Sequence, residues 1–162
     1  MARNPDWAQK FANAIKTRWA IGAMVPSAEA MIPVIQARQG SIGYMALGTA
    51  LGTKLPKVKL LNKNGEMVKA SLDTLRAAIA RIDWIAVPDM VVSAMDLPGA
   101  GVWPLVLPTY AMLPRVPHNK ERGKLAREFL EFALKEAPAE ASNALPLPPE
   151  ARDKALKLLT SG

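Results

Sequence analysis

Few residues of this chain could perform hydrolytic chemistry. Ser93, Asp96 and the single histidine, His118, are the residue types of a nucleophile, an orienting acid and a general base. His118, however, lies in the polar stretch VPHNK at the start of a predicted helix. The patterns G-x-S-x-G, H-E-x-x-H and the phosphate-binding P-loop are absent from the sequence. We therefore predict no catalytic residues, and the chain is not expected to be an enzyme.

Metal and cofactor chemistry is not indicated either. The chain has one histidine and no cysteine, which excludes a multi-histidine site and a cysteine zinc site. Asp83, Asp89 and Asp96 follow one another at spacings of six and seven in predicted loops, which fits no known metal-binding loop. We interpret them as solvated loop carboxylates, and we expect no metal and no cofactor.

One segment has the features of an anion site. The small residues of IGAMVPS, which include Gly22 and Ser27, lead directly into a predicted helix that starts at Ala28. Such a turn can direct backbone N–H groups and the positive end of a helix dipole at an anion. A plain helix cap by Ser27 explains the same residues, so both interpretations stay open.

Charge favours an anionic partner of some kind. The net charge of +7 and the pI of about 9.9 fit an anionic solute, an anionic membrane surface or simply a soluble basic surface. Nucleic acid is disfavoured because the basic residues are scattered and aromatic residues are few. No stretch reaches 18 apolar residues, and the N-terminus lacks the apolar core of a signal peptide, so neither a membrane span nor a leader is predicted.

The first half of the chain predicts helices and a hairpin. An N-terminal helix carries Trp7, Phe11 and Ile15, and a second runs from Ala28 to Ala37, where Pro33 should kink it or delay its start. SIGYMAL predicts a strand interrupted by glycines. KVKLLNKNGEMVKA predicts a hairpin with a two-residue turn at Asn64-Gly65.

The second half predicts helix, two strands and two helices. SLDTLRAAIARI is expected to be a helix capped by Ser71, and MVVSAM and VWPLVLPTYAMLP are expected to be strands, the second broken by prolines. The last two helices lie in NKERGKLAREFLEFALKEA and PPEARDKALKLL, the second directing Ala155, Leu158 and Leu159 inward. Trp84 and Trp103 are expected to be core or interface anchors rather than ligand platforms. The fold class is therefore α/β or α+β.

Several fragments in this order resemble the solute-binding protein of high-affinity phosphate ABC transporters. They are GSIGY, LPKVKLLNKNGEMVKAS, DW, WPLVLPTYAML, AREFLEFAL and ALPLPPEARDKALKLL. The resemblance runs from about Trp7 to Leu158 and corresponds to the C-terminal half of that family's protein. It implies an α/β chain that is part of a periplasmic-binding-protein-like fold, with a mixed sheet and flanking helices. Residues 1–162 would form a single partial unit, with a crossing between lobes near residues 40–50.

The resemblance also implies an incomplete anion site. The family's phosphate ligands lie upstream of the part represented here, and the family's Ser-Gly-Thr is absent from this chain. Phosphate or another small anion would then meet backbone N–H groups near Gly22, with the hydroxyls of Ser27 or Ser41. Gly40, Gly43 and Gly48 would act as hinge positions, although they equally fit tight packing in a rigid sheet.

Partners and location follow from the same resemblance. It implies an ABC transporter permease as partner and a periplasmic or extracytoplasmic location, whereas Met1 as the natural start would indicate a cytoplasmic chain. A partial fold leaves sheet edges and apolar faces uncovered, so we expect a homo-oligomer, most simply a dimer, or a complementary chain. The alternative function is a protein-interaction or assembly module without a small-molecule ligand.

Overall fold

The computed structural model describes residues 22–136 and 145–160, together with Asp6 and Gln9. The chain divides into two compact units, Met1–Ser41 and Ile42–Gly162. The predicted N-terminal helix with Trp7, Phe11 and Ile15 lies outside the described residues, except that Asp6 and Gln9 are helical and exposed. The boundary between the units falls inside the segment 40–50, where a crossing between lobes stays a prediction.

The first unit contains helix α1, Ala28–Ala37. Its cap is the predicted one: Ser27 has extended backbone, and its hydroxyl accepts a hydrogen bond from the N–H of Ala30 at 3.2 Å. Pro33 lies inside the helix and does not delay its start, so a kink at Pro33 is the alternative that stays a prediction. The Ser27 cap fixes the first turn well before Pro33, which removes only one later N–H donor.

The second unit begins without the predicted strand. Residues 41–46 have no regular secondary structure, and Leu47–Leu51 forms the short helix α2. Ile42 and Tyr44 are 81% and 77% exposed, so no buried face supports a strand here. A strand also needs a neighbour for its backbone hydrogen bonds, and among the described residues the only strands pair with each other. The strand prediction for SIGYMAL is therefore wrong.

The hairpin is confirmed, with a longer loop than predicted. Strands β1 (Lys59–Leu61) and β2 (Met67–Lys69) pair antiparallel with Leu60 opposite Val68. The N–H of Asn62 donates to the carbonyl of Glu66 at 2.9 Å, and the N–H of Gly65 donates to the carbonyl of Asn62 at 3.0 Å. The loop thus has three residues, with Gly65 at φ +79° in its last position, as in a turn followed by a bulge.

Helix α3, Leu72–Ile79, follows the hairpin and supplies the first core. Ser71 and Thr74 cap it reciprocally: each side-chain oxygen accepts a hydrogen bond from the other residue's backbone N–H. Ala78 is fully buried and packs with other small apolar residues of the later chain, namely Ala94, Val102 and Val106. Trp103 packs at the margin of this core, as predicted.

Residues 80–119 connect α3 to the next helix, and the two strands predicted there are wrong. The two segments do meet, since the N–H of Asp96 donates to the carbonyl of Pro104 at 2.7 Å and Tyr110 bonds to the backbone of Val92. Proline residues lack the N–H donors of a ladder, and Met90 and Asp96 have positive φ of 58° and 52°. These residues limit the pairing to isolated contacts.

The last two helices are confirmed as α4, Lys120–Lys135, and α5, Pro149–Thr160. They pack together, and the Nη1 of Arg127 donates to the carbonyl of Leu159 at 2.8 Å. Trp84, 5% exposed, forms a second core with Met90 and Ala151, as predicted for this tryptophan. Ala155 packs against that core, whereas Leu158 is 45% exposed, so its predicted inward position is wrong.

The described residues thus confirm mixed α/β content. Their sheet is a two-stranded antiparallel hairpin rather than the larger mixed sheet that was expected. No helix in the described part of the chain has the length and hydropathy needed to span a membrane.

Candidate functional site

The start of α1 carries two of the three predicted anion-binding residues. Gly22 is exposed and has φ +109°, a conformation that glycine adopts without strain. Ser27 is exposed and uses its hydroxyl to cap the helix. The first turn of α1 therefore has the N–H groups and the dipole that attract negative charge.

That negative charge is already supplied by the chain itself. Glu29 lies in the first turn of α1, and its carboxylate accepts hydrogen bonds from its own backbone N–H and from the Ser27 hydroxyl. The backbone N–H, followed by the Ser27 hydroxyl, lowers the pKa of Glu29 below its ordinary value. A solute anion would have to compete with this carboxylate for the same donors.

Ser41, the third predicted residue, lies at the other end of the helix. Its hydroxyl donates a short hydrogen bond to the carbonyl of Arg38, just after α1 ends. Because α1 has ten residues and a helix rises about 1.5 Å per residue, Ser27 and Ser41 are roughly 15 Å or more apart. The structure does not bring these two hydroxyls to one phosphate-sized ligand.

The three predicted hinge glycines have three different environments. Gly40 follows α1 in a turn with φ +78°, Gly43 lies in the irregular segment after it, and Gly48 lies within α2. Only Gly40 of the three has a positive φ. Hinge motion at these positions stays a prediction.

In the second unit, a polar cluster joins the hairpin loop to the loop that contains Gly99. We call it the hairpin latch; it consists of Asn62, Asn64, Glu66, Gly99 and Gly101. The Gly101 N–H donates to the Glu66 carboxylate at 2.8 Å, and the Gly99 N–H donates to Asn64 Oδ1 at 3.0 Å. Asn62, only 4% exposed, donates from Nδ2 to Glu66 Oε2 at 3.0 Å and to the Gly99 carbonyl at 3.3 Å.

The latch holds a carboxylate of the chain itself, that of Glu66. Gly99 and Gly101 have φ of +143° and +66°, and each directs its N–H at a side-chain oxygen of the hairpin loop. The Gly101 N–H, followed by the Asn62 amide, lowers the pKa of Glu66 below its ordinary value. The chain thus holds a carboxylate with backbone N–H groups in both units, at Glu29 and at Glu66.

A cation is held by backbone carbonyls beside the second core. The ammonium of Lys154, on α5, donates to the carbonyls of Trp84 and Ile85 at 3.0 and 2.9 Å and also to that of Val87. This uses all three of its donors, so Lys154 fixes the turn after Trp84 against α5. Its role is structural.

Two of the three aspartates predicted to be solvated loop carboxylates stabilise turns. Asp83 Oδ1 accepts from the N–H groups of Ile85 and Ala86 at 3.1 and 3.0 Å, and Asp89 Oδ1 accepts from that of Val91 at 3.0 Å. His118 is exposed just before the N-cap of α4. Within residues 22–136 and 145–160, no group of three or more histidine and carboxylate residues could hold a metal ion.

The hairpin latch and the Lys154 contacts were not found from the sequence. Asn64-Gly65 predicted a turn, but nothing local indicates that the side chains of Asn64 and Glu66 meet Gly99 and Gly101, each 35 residues away. Lys154 reaches carbonyls 67 to 70 residues away. Such contacts depend on tertiary packing, which periodicity and turn chemistry do not specify.

Comparison with known proteins gives one consistent set of relatives. No family model matches the chain. It is 26% identical over 146 residues to the phosphate-binding protein PstS of Xylella fastidiosa (strain Temecula1), a match that covers 89% of this chain and 40% of that protein. The PstS proteins of Pasteurella multocida and Methanocaldococcus jannaschii are each 24% identical, over 92% and 81% of this chain and 44% and 38% of theirs.

The chain therefore spans less than half the length of the curated relatives it matches. The relatives come from three different organisms and match with similar coverage, so the similarity does not depend on one relative. The resemblance noted in the sequence is confirmed: over most of its length this chain is similar to phosphate-binding proteins and corresponds to a part of them.

Proposed function

We propose that the chain is a solute-binding unit of the phosphate-binding type, without catalytic activity and with an incomplete anion site. The observation that carries this proposal is the similarity to phosphate-binding proteins over 81–92% of the chain. Its net charge of +7 supports an anionic solute. Glu29 engages its own N–H and the Ser27 hydroxyl at the start of α1, and Glu66 engages the Gly101 N–H and the Asn62 amide in the hairpin latch, which supports an incomplete site.

The proposed unit would form part of a periplasmic-binding-protein-like fold. Residues 40–50 would carry the chain between lobes, and Gly40, Gly43 and Gly48 would permit the change in direction. Division of the chain into units at Ser41 and Ile42 supports a change at this place. We further propose an extracytoplasmic location and an ABC transporter permease as partner, both by analogy with the relatives.

Phosphate titration followed by backbone NMR tests the proposal directly. We expect saturable shifts of the amide signals of residues 22–30, with a dissociation constant in the millimolar range, because few donors remain for a solute. Sodium chloride at equal ionic strength is the control for general screening. Uniform shifts that chloride reproduces would contradict a phosphate-type site, and a micromolar one-to-one complex would contradict an incomplete one.

The alternative function is a protein-interaction or assembly module without a small-molecule ligand. It is favoured by the many large apolar side chains that the second unit exposes, among them Leu107 at 81%, Met112 at 93% and Val116 at 87%. Association with a second copy or a complementary chain would cover such side chains. Association that is independent of phosphate, together with an absence of saturable phosphate shifts, would select this alternative.

A further inference from the structure

Helix α4 carries apolar side chains over more than half of its circumference. The inner part of this surface is at least partly buried and contains Ala126, Leu130, Ala133 and Leu134. We call the exposed part beside it the outer stripe; it consists of Leu125, Phe129 and Phe132, which are 64%, 67% and 53% exposed. Spacings of four and three place these three side chains in one line along the helix. A helix with so broad an apolar surface is typical of one packed between two neighbours.

The inner neighbour of α4 is known, and it fixes the orientation of the helix. Helix α5 packs against α4, and Arg127 bonds to the carbonyl of Leu159 at 2.8 Å. At the N-terminal end, Gly123 lies so close to Pro117 that a Cβ at this position would be 2.5 Å from the proline ring. The helix therefore cannot rotate to bury the outer stripe without losing its contacts with α5 and Pro117.

We propose that the outer stripe is a two-fold symmetric interface at which α4 packs antiparallel against α4 of a second copy of this chain. With Phe129 next to the two-fold axis, Leu125 contacts the partner's Phe132. This inference concerns the assembly of the chain and does not depend on its binding a solute.

Charges beside the outer stripe favour a second copy of the chain. Glu121 and Lys135 lie on one side of the stripe, two turns before and two turns after its centre, so each meets the opposite charge on an antiparallel partner. Arg122 and Glu136 lie on the other side and pair with each other in the same way. Lys135 also pairs with Glu131 of its own helix at 2.6 Å. A parallel arrangement would instead pair Glu121 with Arg122 and Lys135 with Glu136, so the charge exchange described below distinguishes the two orientations.

One contact between like charges remains at the centre of the interface, and an ion pair within each helix offsets it. Glu128 lies beside Phe129 and approaches its own copy across the axis. On its own helix, the Glu128 carboxylate is 3.7 Å from the ammonium of Lys124. This ion pair reduces the repulsion between the two carboxylates.

The exposed area of the outer stripe sets the strength of the dimer. Three large side chains, each about half to two-thirds exposed, present on the order of 350 Å² per chain, given about 150–250 Å² for a whole aromatic side chain. Two copies would then bury roughly 700 Å² from the stripes, less than the roughly 1,200 Å² of a stable interface. The expected species is a weak, concentration-dependent dimer.

Sedimentation velocity of the full chain over a range of concentrations tests the proposal. We expect a reversible monomer–dimer equilibrium that Phe129→Glu weakens at least tenfold, because it places two carboxylates at the axis. Met24→Glu is the matched control, since Met24 is 87% exposed but lies outside α4, and it should leave the equilibrium unchanged. Circular dichroism establishes that each variant is folded.

Charge exchange tests the antiparallel orientation. Glu121→Lys alone and Lys135→Glu alone should each weaken the dimer, and the double variant should restore it. Within one helix the two residues are about 21 Å apart, too far for an exchange to act within one chain. Because the chain has no cysteine, Phe129→Cys offers a second measurement: oxidation should give a disulfide-linked dimer in high yield.

The outcomes separate the possible occupants of the stripe. A monomer at every concentration, a dimer that persists in Phe129→Glu, or a double variant without recovery would each overturn the proposal. So would a stoichiometric complex with a different chain that Phe129→Glu disrupts, because the stripe would then belong to that partner. Concentration-dependent dimers with charge-exchange recovery and disulfide formation support it.

Discussion

The carboxylate of Glu66 accepts a hydrogen bond from the backbone N–H of Gly101 at 2.8 Å, across 35 residues of sequence. The bond belongs to the hairpin latch, in which the nearly buried Asn62 also holds Glu66 and the carbonyl of Gly99. Without these contacts the two-stranded hairpin would be marginal, since an isolated hairpin is barely stable in water. The latch therefore joins the hairpin to the first core, which includes the fully buried Val102.

The charge of Glu66 should make the stability of the second unit depend on pH. The Gly101 N–H and the Asn62 amide lower the pKa of Glu66 from its ordinary value of 4.5. A lowered pKa in the folded state contributes stability above pH 4.5, and that contribution is lost as the pH falls through the folded pKa. We therefore expect Glu66→Gln to lower the free energy of unfolding at pH 7 and to have much less effect at pH 3.

Urea unfolding of both proteins at the two pH values measures this difference. Glu128→Gln is the control, because it removes a carboxylate from the exposed side of α4 without touching the latch. An equal loss at pH 7 and pH 3 would show that Glu66 acts through shape and not through its charge.

Three glycines should respond differently to alanine because their backbones and neighbours differ. Gly65 has φ +79° and open space around it, so Gly65→Ala should lower the free energy of unfolding by about 1 kcal/mol through backbone strain alone. Gly99 has φ +143°, and a Cβ there would be 2.9 Å from Val102 Cγ2 and from Arg81 Nε. Gly99→Ala should therefore lower the free energy of unfolding by more than Gly65→Ala does. Gly52 has φ −72° and only an ordinary contact at 3.7 Å, so Gly52→Ala should change the free energy of unfolding by less than about 0.5 kcal/mol.

Chemical denaturation of the three variants gives this order directly. If Gly65→Ala were as stable as the parent chain, Gly65 would not require its left-handed conformation. If Gly99→Ala cost no more than Gly65→Ala, the close packing around Gly99 would be wrong.

Local sequence signals predicted four of the five helices whose bounds are given, with the short α2 as the exception. Ser27 and Ser71 were identified as caps, and both accept the hydrogen bonds that a cap requires. The hairpin was predicted from Asn64-Gly65, although its loop has three residues because Asn62 bonds to Glu66 and closes it. In each case the information lies within about five residues of the element.

Strands and side-chain clusters depended on distant partners and were predicted poorly. The apolar run near Ile42 resembled a strand, but no neighbour among the described residues provides a ladder. The segments around Val92 and Pro104 contact each other without forming strands, because proline and positive φ interrupt the pairing. Of the predicted anion residues, Ser27 and Ser41 lie at opposite ends of α1. The predicted length of this helix, at about 1.5 Å per residue, already implies that the two hydroxyls are far apart.

Lys154 should contribute more to stability than an ordinary surface lysine. Lys154→Met keeps most of the side chain's apolar volume and removes the ammonium from three carbonyls. Hydrogen bonds to a charged group contribute about 1.5–3 kcal/mol net, so we expect a loss of roughly that size. Lys124→Met removes an exposed pair at 3.7 Å and should cost less than about 1 kcal/mol. Thermal unfolding by circular dichroism measures both, and equal effects would contradict the carbonyl contacts.

Glu29 should compete with solute anions for the start of α1. Its carboxylate accepts hydrogen bonds from its own N–H and from Ser27, so a phosphate ion can reach these donors only by displacing it. Glu29→Gln removes the charge but keeps the size of the side chain, and the N-terminal dipole of α1 is left without its anion. We therefore expect phosphate to bind several-fold more tightly to the variant than to the parent chain.

The amide exchange rates of Glu29, Ala30 and Met31 at increasing phosphate concentration measure this competition. Phosphate should slow exchange in Glu29→Gln at concentrations that have little effect on the parent, with chloride at equal ionic strength as the control for screening. Glu150→Gln, which removes the acid from the first turn of α5, tests whether any helix start responds alike. Equal protection by phosphate in the parent and in Glu29→Gln would show that Glu29 does not occupy the site. Protection only in Glu29→Gln would establish that this carboxylate takes the place of the solute.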